Sequence, residues 1–255
     1  MRAVYFIALN TFREIIRDRI LYGLFVFAIL LIGFSLVLGQ LSYAEQMRIS
    51  SDFGFAAINL SAVIISIFIG STLVSRELEH RTIYTLLVRP VSRQQFLLGK
   101  FFGLSLVNVT ALSALSVILA ITFYFLGKTW DYDCTMVVIG ILLESLVMMS
   151  FTILFGTFTK PILAVSYALG LFLIGRWMDT LNFFAEKSFA TGFKVFNEVL
   201  QRMLPNLAKF NWSTYTLSEQ QIPLSQVALA VFYAGGWVAL VIVIASIVFR
   251  KKDFV

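Results

Sequence analysis

Glu144 lies within a long apolar run and is the residue best placed to carry out chemistry inside a membrane. It follows Gly-Ile-Leu-Leu and precedes Ser-Leu-Val-Met-Met. A charged side chain at the centre of a membrane span costs about 3 kcal/mol. Glu144 is therefore predicted either to line a translocation path, where it could relay protons, or to be protonated or hydrogen-bonded to a neighbouring span. Ser145, Asn108 and Asn59 are the candidate partners, and both interpretations stay open.

A second group of charged residues separates two long apolar runs and must lie in water. Its members are Arg76, Glu77, Glu79, His80, Arg81, Arg89, Arg93 and Lys100. The pattern of residues 76–88 is typical of a short helix, and Pro90 disfavours helical geometry at the residue before it. Ser92 followed by Gln95 predicts a capping box at the start of another helix. We expect a helix, a sharp corner and a second helix that enters the membrane.

The order of residues in this segment resembles the signature of ABC-2-type transporter permeases. The matching positions are Glu77, Glu79, Thr82, Leu86, Leu87, Pro90, Ser92, Arg93, Leu97, Leu98, Gly99 and Lys100. Arg81 is a departure, because many members have glycine there. The resemblance implies a cytoplasmic loop between the second and third transmembrane helices that docks on a separate ATP-hydrolysing subunit. The residues predicted to couple to that subunit are Arg76, Glu77, Glu79, Arg81, Thr82, Arg89, Pro90, Ser92 and Arg93.

ATP hydrolysis is not expected in this chain. The sequence lacks the Gly-x-x-x-x-Gly-Lys-Ser/Thr pattern that cradles phosphates. The resemblance implies that ATP and Mg²⁺ bind to a pair of cytoplasmic ABC ATPase subunits, and that this chain needs no cofactor of its own. It also implies a second permease subunit, identical or different. A stretch near Leu204–Leu207 and Phe210–Asn211 is similar to the branch that includes copper-enzyme-maturation and gliding-motility permeases.

Two functions are compatible with this resemblance. The first is the membrane subunit of an ATP-driven exporter. The second is a mechanotransmitter, which would pass ATP-driven motion to an external protein bound to residues 179–226 without moving a solute. The identity of a substrate is not encoded in any motif that we recognise.

Composition indicates a helical membrane protein. Hydrophobic residues make up 59% of the 255 residues and charged residues only 13%, about half the charged fraction of a soluble domain. With one cysteine, Cys134, and one histidine, His80, a metal site built from these residue types is not expected. The net charge of +6 follows membrane topology, so a nucleic-acid partner is not expected, whereas contact with membrane lipids is.

The distribution of cations predicts the orientation. Alternate connections hold 13 and 7 of the 20 Lys and Arg residues. By the positive-inside rule the richer set is cytoplasmic, which places both termini in the cytoplasm and the chain in the inner membrane.

The predicted fold is a single all-α membrane domain, residues 1–255. It starts with an amphipathic elbow helix over 3–19 that lies in the interface. Spans of about 20 apolar residues follow near 21–41, 55–75, 101–126, 135–157, 161–178 and 227–249. Residues 42–54 are expected to be a short polar connection, 76–100 the cytoplasmic coupling segment, and 179–226 amphipathic helices on the external side. Glycine clusters at 99–103 and 235–236 predict close contacts between helices.

Overall fold

The fold is known from a computed structural model, which describes residues 2–40, 45–79, 92–187, 191–213, 215 and 221–251. Within these ranges the regular structure is helical and contains no strand. The helices are α1 (Arg2–Ile16), α2 (Arg19–Gln40), α3 (Gln46–Glu79), α4 (Arg93–Phe125), α5 (Tyr132–Phe158), α6 (Pro161–Arg176), α7 (Met178–Lys187), α8 (Thr191–Met203) and α9 (Leu224–Lys251), with a 3₁₀ turn at Leu207–Phe210.

Five of these helices are long and apolar enough to cross a membrane, namely α2, α3, α4, α5 and α9. A sixth crossing is obtained if α6 and α7, which are bent by 53° relative to each other, are taken as one broken span. The all-helical, multi-span architecture is therefore confirmed. The fifth predicted span, 161–178, coincides with α6, which reaches a membrane-spanning length only together with α7 beyond the bend.

The centre of the bundle is formed by α3 and α5. In their most apolar stretches 72% of α3 and 67% of α5 is buried, against 17% of α2 and 22% of α9. Each central helix packs against the other, while α2 packs on α3 and α9 packs on α5. The buried polar residues discussed below lie mainly on α3, α4 and α5.

Helix α3 is longer than the predicted span at both ends. Residues 46–54 were expected in a polar connection, but they are helical. This part of the prediction is wrong because one face of the segment is apolar or small and is buried: Ser50, Ser51, Gly54 and Phe55 are buried, and the hydroxyl of Ser50 approaches Gly39 of α2. At the other end residues 76–79 continue the same helix, so a separate helix does not begin at Arg76.

The predicted capping box at the start of α4 is confirmed. The backbone N–H of Gln95 donates to the Ser92 hydroxyl over 3.3 Å, and the backbone N–H of Ser92 donates to Oε1 of Gln95 over 3.2 Å. Two backbone donors that the helix itself cannot satisfy are thereby paired. This fixes the residue at which α4 begins, immediately after the charged segment.

Replacing Ser92 by alanine is expected to lower the free energy of unfolding by about 1 kcal/mol, since an N-cap side chain is lost. Thermal unfolding in detergent measures the change. Ser166→Ala is the control, because its hydroxyl donates to the Ile162 carbonyl within an exposed part of α6 and its loss should cost less than about 0.5 kcal/mol. Equal effects of the two substitutions would contradict a capping role.

Candidate functional site

Glu144 is completely buried at the middle of α5 and is bonded to two other helices. Nδ2 of Asn59, on α3, donates to its Oε2 over 2.6 Å. Nη1 of Arg176, the last residue of α6, lies 3.2 Å from both carboxylate oxygens. The exposed fraction of the side chain is 0% for Glu144 and 27% for Arg176. The three residues thus form a buried ion pair with an amide bonded to the same carboxylate, joining α3, α5 and α6.

Sequence reasoning missed Arg176 as the partner of Glu144. It placed Arg176 near the external end of a span, away from the middle. The two residues are in fact equally far from the tight connection between α5 and α6. Glu144 comes 14 residues before Phe158 and Arg176 15 residues after Pro161, which corresponds to about 21 Å and 22 Å of helix. Counting from this turn would have paired them.

Asn108 and Ser145 belong to a second polar group. Nδ2 of Asn108, on α4, donates to Ser66 on α3 over 2.9 Å and to Ser145 on α5 over 2.8 Å. All three residues are completely buried, and Oδ1 of Asn108 has no hydrogen-bond partner. Of the partners proposed for Glu144, Asn59 bonds to it directly, whereas Asn108 and Ser145 bond to each other. Together the two groups place buried polar contacts between α3, α4, α5 and α6, within a core that is otherwise largely apolar.

The segment after α8 packs into one end of the bundle, beside the Glu144 group. Leu207, Phe210 and Trp212 are 0%, 1% and 5% exposed. Two glycines allow this approach: a Cβ at Gly140 of α5 would lie 2.5 Å from the Phe210 carbonyl oxygen, and one at Gly175 of α6 would lie 2.8 Å from Leu207. Non-helical backbone at membrane depth is tolerated where it is buried in protein. The segment therefore covers the helix break after Arg176.

A small cavity lies between this covering segment and the Glu144 group. Its volume is about 40 Å³, room for about three water molecules. The residues around it are Asp52, Phe55, Ala56, Asn59, Val137, Ile141, Arg176, Phe210, Asn211, Trp212 and Ser213. Asp52 and Ala56 are exposed and Asn59 is buried. The cavity therefore connects the surface side of α3 with the ion pair, and its polar residues can hydrogen-bond water or a small polar group.

The described residues contain no cluster of three or more His, Cys, Asp or Glu side chains that could hold a metal ion. The contacts that Glu144 makes are a hydrogen bond from Asn59 and an ion pair with Arg176. The loss of either residue of such a pair destabilises the fold strongly, because it leaves the other charge buried without compensation.

A third feature joins α1 to the first turns of α4. A Cβ at Gly103 would lie 2.6 Å from the Ala8 carbonyl oxygen, and one at Gly99 would lie 2.6 Å from Cγ2 of Ile7. Nζ of Lys100 lies 3.7 Å from the Glu14 carboxylate. The close contact predicted for glycines 99–103 is confirmed, and it lies within the chain. At Gly235 and Gly236, by contrast, a Cβ would meet nothing within 4 Å.

The predicted coupling residues are only partly covered by the structure. Arg81, Thr82, Arg89 and Pro90 lie outside the described residues. The backbones of Arg76, Glu77 and Glu79 form the end of α3, and Arg93 is the first residue of α4. Ser92 carries the cap. The charged segment therefore follows α3, a central helix, and immediately precedes α4, the helix against which α1 packs.

Comparison with known protein families supports the resemblance seen in the charged segment. The family model described as ABC-2 family transporter protein matches residues 5–254, nearly the whole chain. Curated protein sequences gave no match. The matched region includes the polar site, the α1–α4 contact and the residues of the charged segment at the end of α3 and the start of α4. We conclude that this chain belongs to the ABC-2 family of transporter proteins.

Proposed function

We propose that this chain is the membrane-spanning permease subunit of an ATP-driven exporter, coupled to a separate pair of cytoplasmic ABC ATPase subunits. The observation that carries the proposal is the contact between α1 and α4. This contact attaches the charged segment stiffly to the bundle. The chain belongs to a transporter family, and its own sequence has no phosphate-binding loop.

The proposed coupling works through helix ends. When ATP closes the ATPase pair, its motion reaches residues 76–93. On one side these residues continue α3, one of the two central helices. On the other they lead into α4, whose start is fixed by the Ser92 cap and by α1. Displacing the segment therefore moves α3 relative to α4. The buried hydrogen bond from Asn108 to Ser66 joins these two helices.

The substrate path is proposed to pass the Glu144 group, with a second permease subunit completing the pathway. The small cavity beside Arg176 and the covering segment over it are what a closed external end would require. In this scheme both termini are cytoplasmic and the protein lies in the inner membrane, as the distribution of Lys and Arg predicts.

Reversing the two acids of the coupling segment tests the proposal. In Glu77→Arg/Glu79→Arg, we expect the ATPase that co-purifies with the wild-type protein from its native membranes to be reduced at least about tenfold, since several like charges at a polar interface cost a few kcal/mol. The readouts are ATPase recovered per permease and ATP hydrolysis by the purified complex.

The matched control reverses two exposed acids elsewhere, Glu186→Arg/Glu198→Arg, and should leave ATPase recovery unchanged. Wild-type protein that carries out transport without any nucleotide-hydrolysing partner would contradict the proposal. So would normal ATPase recovery with the Glu77→Arg/Glu79→Arg variant.

Mechanotransmission is the second candidate, and the surface of α7 and α8 favours it. Large apolar side chains are exposed there: Phe183, Phe184, Val195, Phe196 and Val199 are 48–58% exposed. Such a surface fits either the membrane interface or a protein partner. Deleting α8, residues 191–203, separates the functions and leaves the bent pair of α6 and α7 in place. A transmitter would lose an externally bound protein and keep ATP hydrolysis, while an exporter would show no bound external protein before or after the deletion.

A further inference from the structure

A long apolar groove lies between α4 and α9, away from the Glu144 group. Its volume is about 540 Å³, within the range of small-molecule binding sites. The residues that form its walls are Gln94, Leu97, Leu98, Phe101, Phe102, Gly235, Val238, Ala239, Ile242, Val243, Ser246 and Ile247. All but Gln94 and Ser246 are apolar or glycine. The groove can therefore take an apolar ligand with a polar group at a defined place.

The polar wall residues lie at the same end of the groove. Gln94 is in the first turn of α4 and is exposed, while Ser246 is in the last two turns of α9. Ser246 is 8% exposed, and its hydroxyl has no hydrogen-bond partner. The exposed amide of Gln94 and the nearby Ser246 make this the polar end of the groove. The polar group of a bound ligand would therefore lie at this end.

The length of the groove is similar to the depth of one leaflet. From Gly235 to Ile247 its wall extends 12 residues along α9, about 18 Å of helix. Half of the hydrocarbon core of a bilayer is about 15 Å thick. The groove therefore runs from the membrane surface at which α4 begins to near the bilayer centre, with its polar end at the surface.

The groove is too small to enclose a helix. A helix with side chains is about 10 Å wide, so an 18 Å length of it occupies roughly 1,400 Å³, and most of that volume would lie outside the groove. A flexible hydrocarbon chain is thinner and can lie inside. This difference favours a lipid chain over a helix of a second copy as the occupant of the groove itself.

We propose that the groove is a binding site for one acyl chain of a phospholipid from the leaflet at which α4 begins and α9 ends, with the ester region of that lipid beside Ser246 and Gln94. The site adjoins the capped start of α4. Occupancy would therefore stiffen the helix that receives motion from the coupling segment.

Photocrosslinking in nanodiscs tests the site. The probe is a phosphatidylethanolamine with a diazirine in the middle of one acyl chain, and labelled peptides are mapped by mass spectrometry. In the wild-type protein we expect labelling at Phe101, Phe102 and Val243. Ala239→Phe fills the groove and should reduce this labelling at least about fivefold, because the chain loses its place. The experiment needs no ATPase, so its failure is distinct from failure of the proposed function.

The control is Leu240→Phe, one residue along the same helix. Leu240 is 50% exposed and does not line the groove, so labelling should stay at the wild-type level. If Ala239→Phe does not fold, Gly235→Leu replaces it, since a Cβ at Gly235 meets nothing within 4 Å. Both groove variants must keep the wild-type thermal midpoint in detergent to be compared.

Two results would overturn the proposal. One is equal labelling in the groove variants and in Leu240→Phe, which would mean that the probe samples ordinary lipid-facing surface. The other is an absence of groove labelling together with rapid disulfide-linked dimers of Val243→Cys, which would mean that a second copy covers the groove.

Discussion

Replacing Arg176 by methionine is expected to lower the free energy of unfolding by about 3 kcal/mol, because it leaves the carboxylate of Glu144 buried without its charged partner. Glu144 is completely buried, and its remaining bond comes from Asn59. Methionine keeps most of the length of the arginine side chain, so the loss reports charge more than volume. Thermal or denaturant unfolding of purified protein in detergent measures the change.

A double-mutant cycle provides the control. Glu144→Gln alone leaves Arg176 without a carboxylate, but that guanidinium is 27% exposed beside the small cavity. Glu144→Gln should therefore lower the free energy of unfolding less than Arg176→Met does. Glu144→Gln/Arg176→Met has no charge at the site and should recover at least about 1 kcal/mol relative to the sum of the single changes. Additive losses would contradict a direct ion pair.

The same variants bear on the role of Glu144. Glutamine can accept from Asn59 and Arg176 but cannot carry a proton through the site. Full transport by Glu144→Gln would reject a proton relay and leave Glu144 with the task of holding α3, α5 and α6 together. Loss of transport in a variant that keeps wild-type stability would place the residue on the path.

Local patterns were predictable where a short stretch of sequence determines the structure. The Ser92–Gln95 box needs only residues three apart, and it is present. Pro161 begins α6, as its fixed backbone angle favours. The number of crossings was nearly right, because an apolar run of about 20 residues has few other places to go.

Contacts between distant parts of the chain were harder to predict from the sequence. The bond from Arg176 to Glu144 depends on the tight turn that sets α5 and α6 side by side, and a basic residue next to tryptophan resembles a membrane boundary. The helical extension at 46–54 was missed for a related reason: Arg48 and Asp52 suggested a polar connection, while the buried face of the same turns packs on neighbouring helices. In both cases charge was taken to mean exposure.

The packing of α1 against α4 is expected to be sensitive to a single methyl group. Gly103→Ala is expected to lower the free energy of unfolding by about 1–3 kcal/mol, the usual cost of overpacking. The added Cβ would lie 2.6 Å from the Ala8 carbonyl oxygen and 2.7 Å from Cβ of Thr11. Both atoms are near the backbone and cannot swing away, so α1 itself must shift.

Gly170→Ala is the matched control, since a Cβ at this position in α6 meets nothing within 4 Å. Alanine is a better helix former than glycine, so this variant should gain about 0.5–1 kcal/mol. Opposite signs for the same chemical change are thus expected in one unfolding assay. If α1 transmits motion to α4, Gly103→Ala should also weaken the coupling of ATP hydrolysis to transport, whereas Gly170→Ala should not. A stabilising effect of Gly103→Ala would show that α1 does not rest on α4 as closely as described.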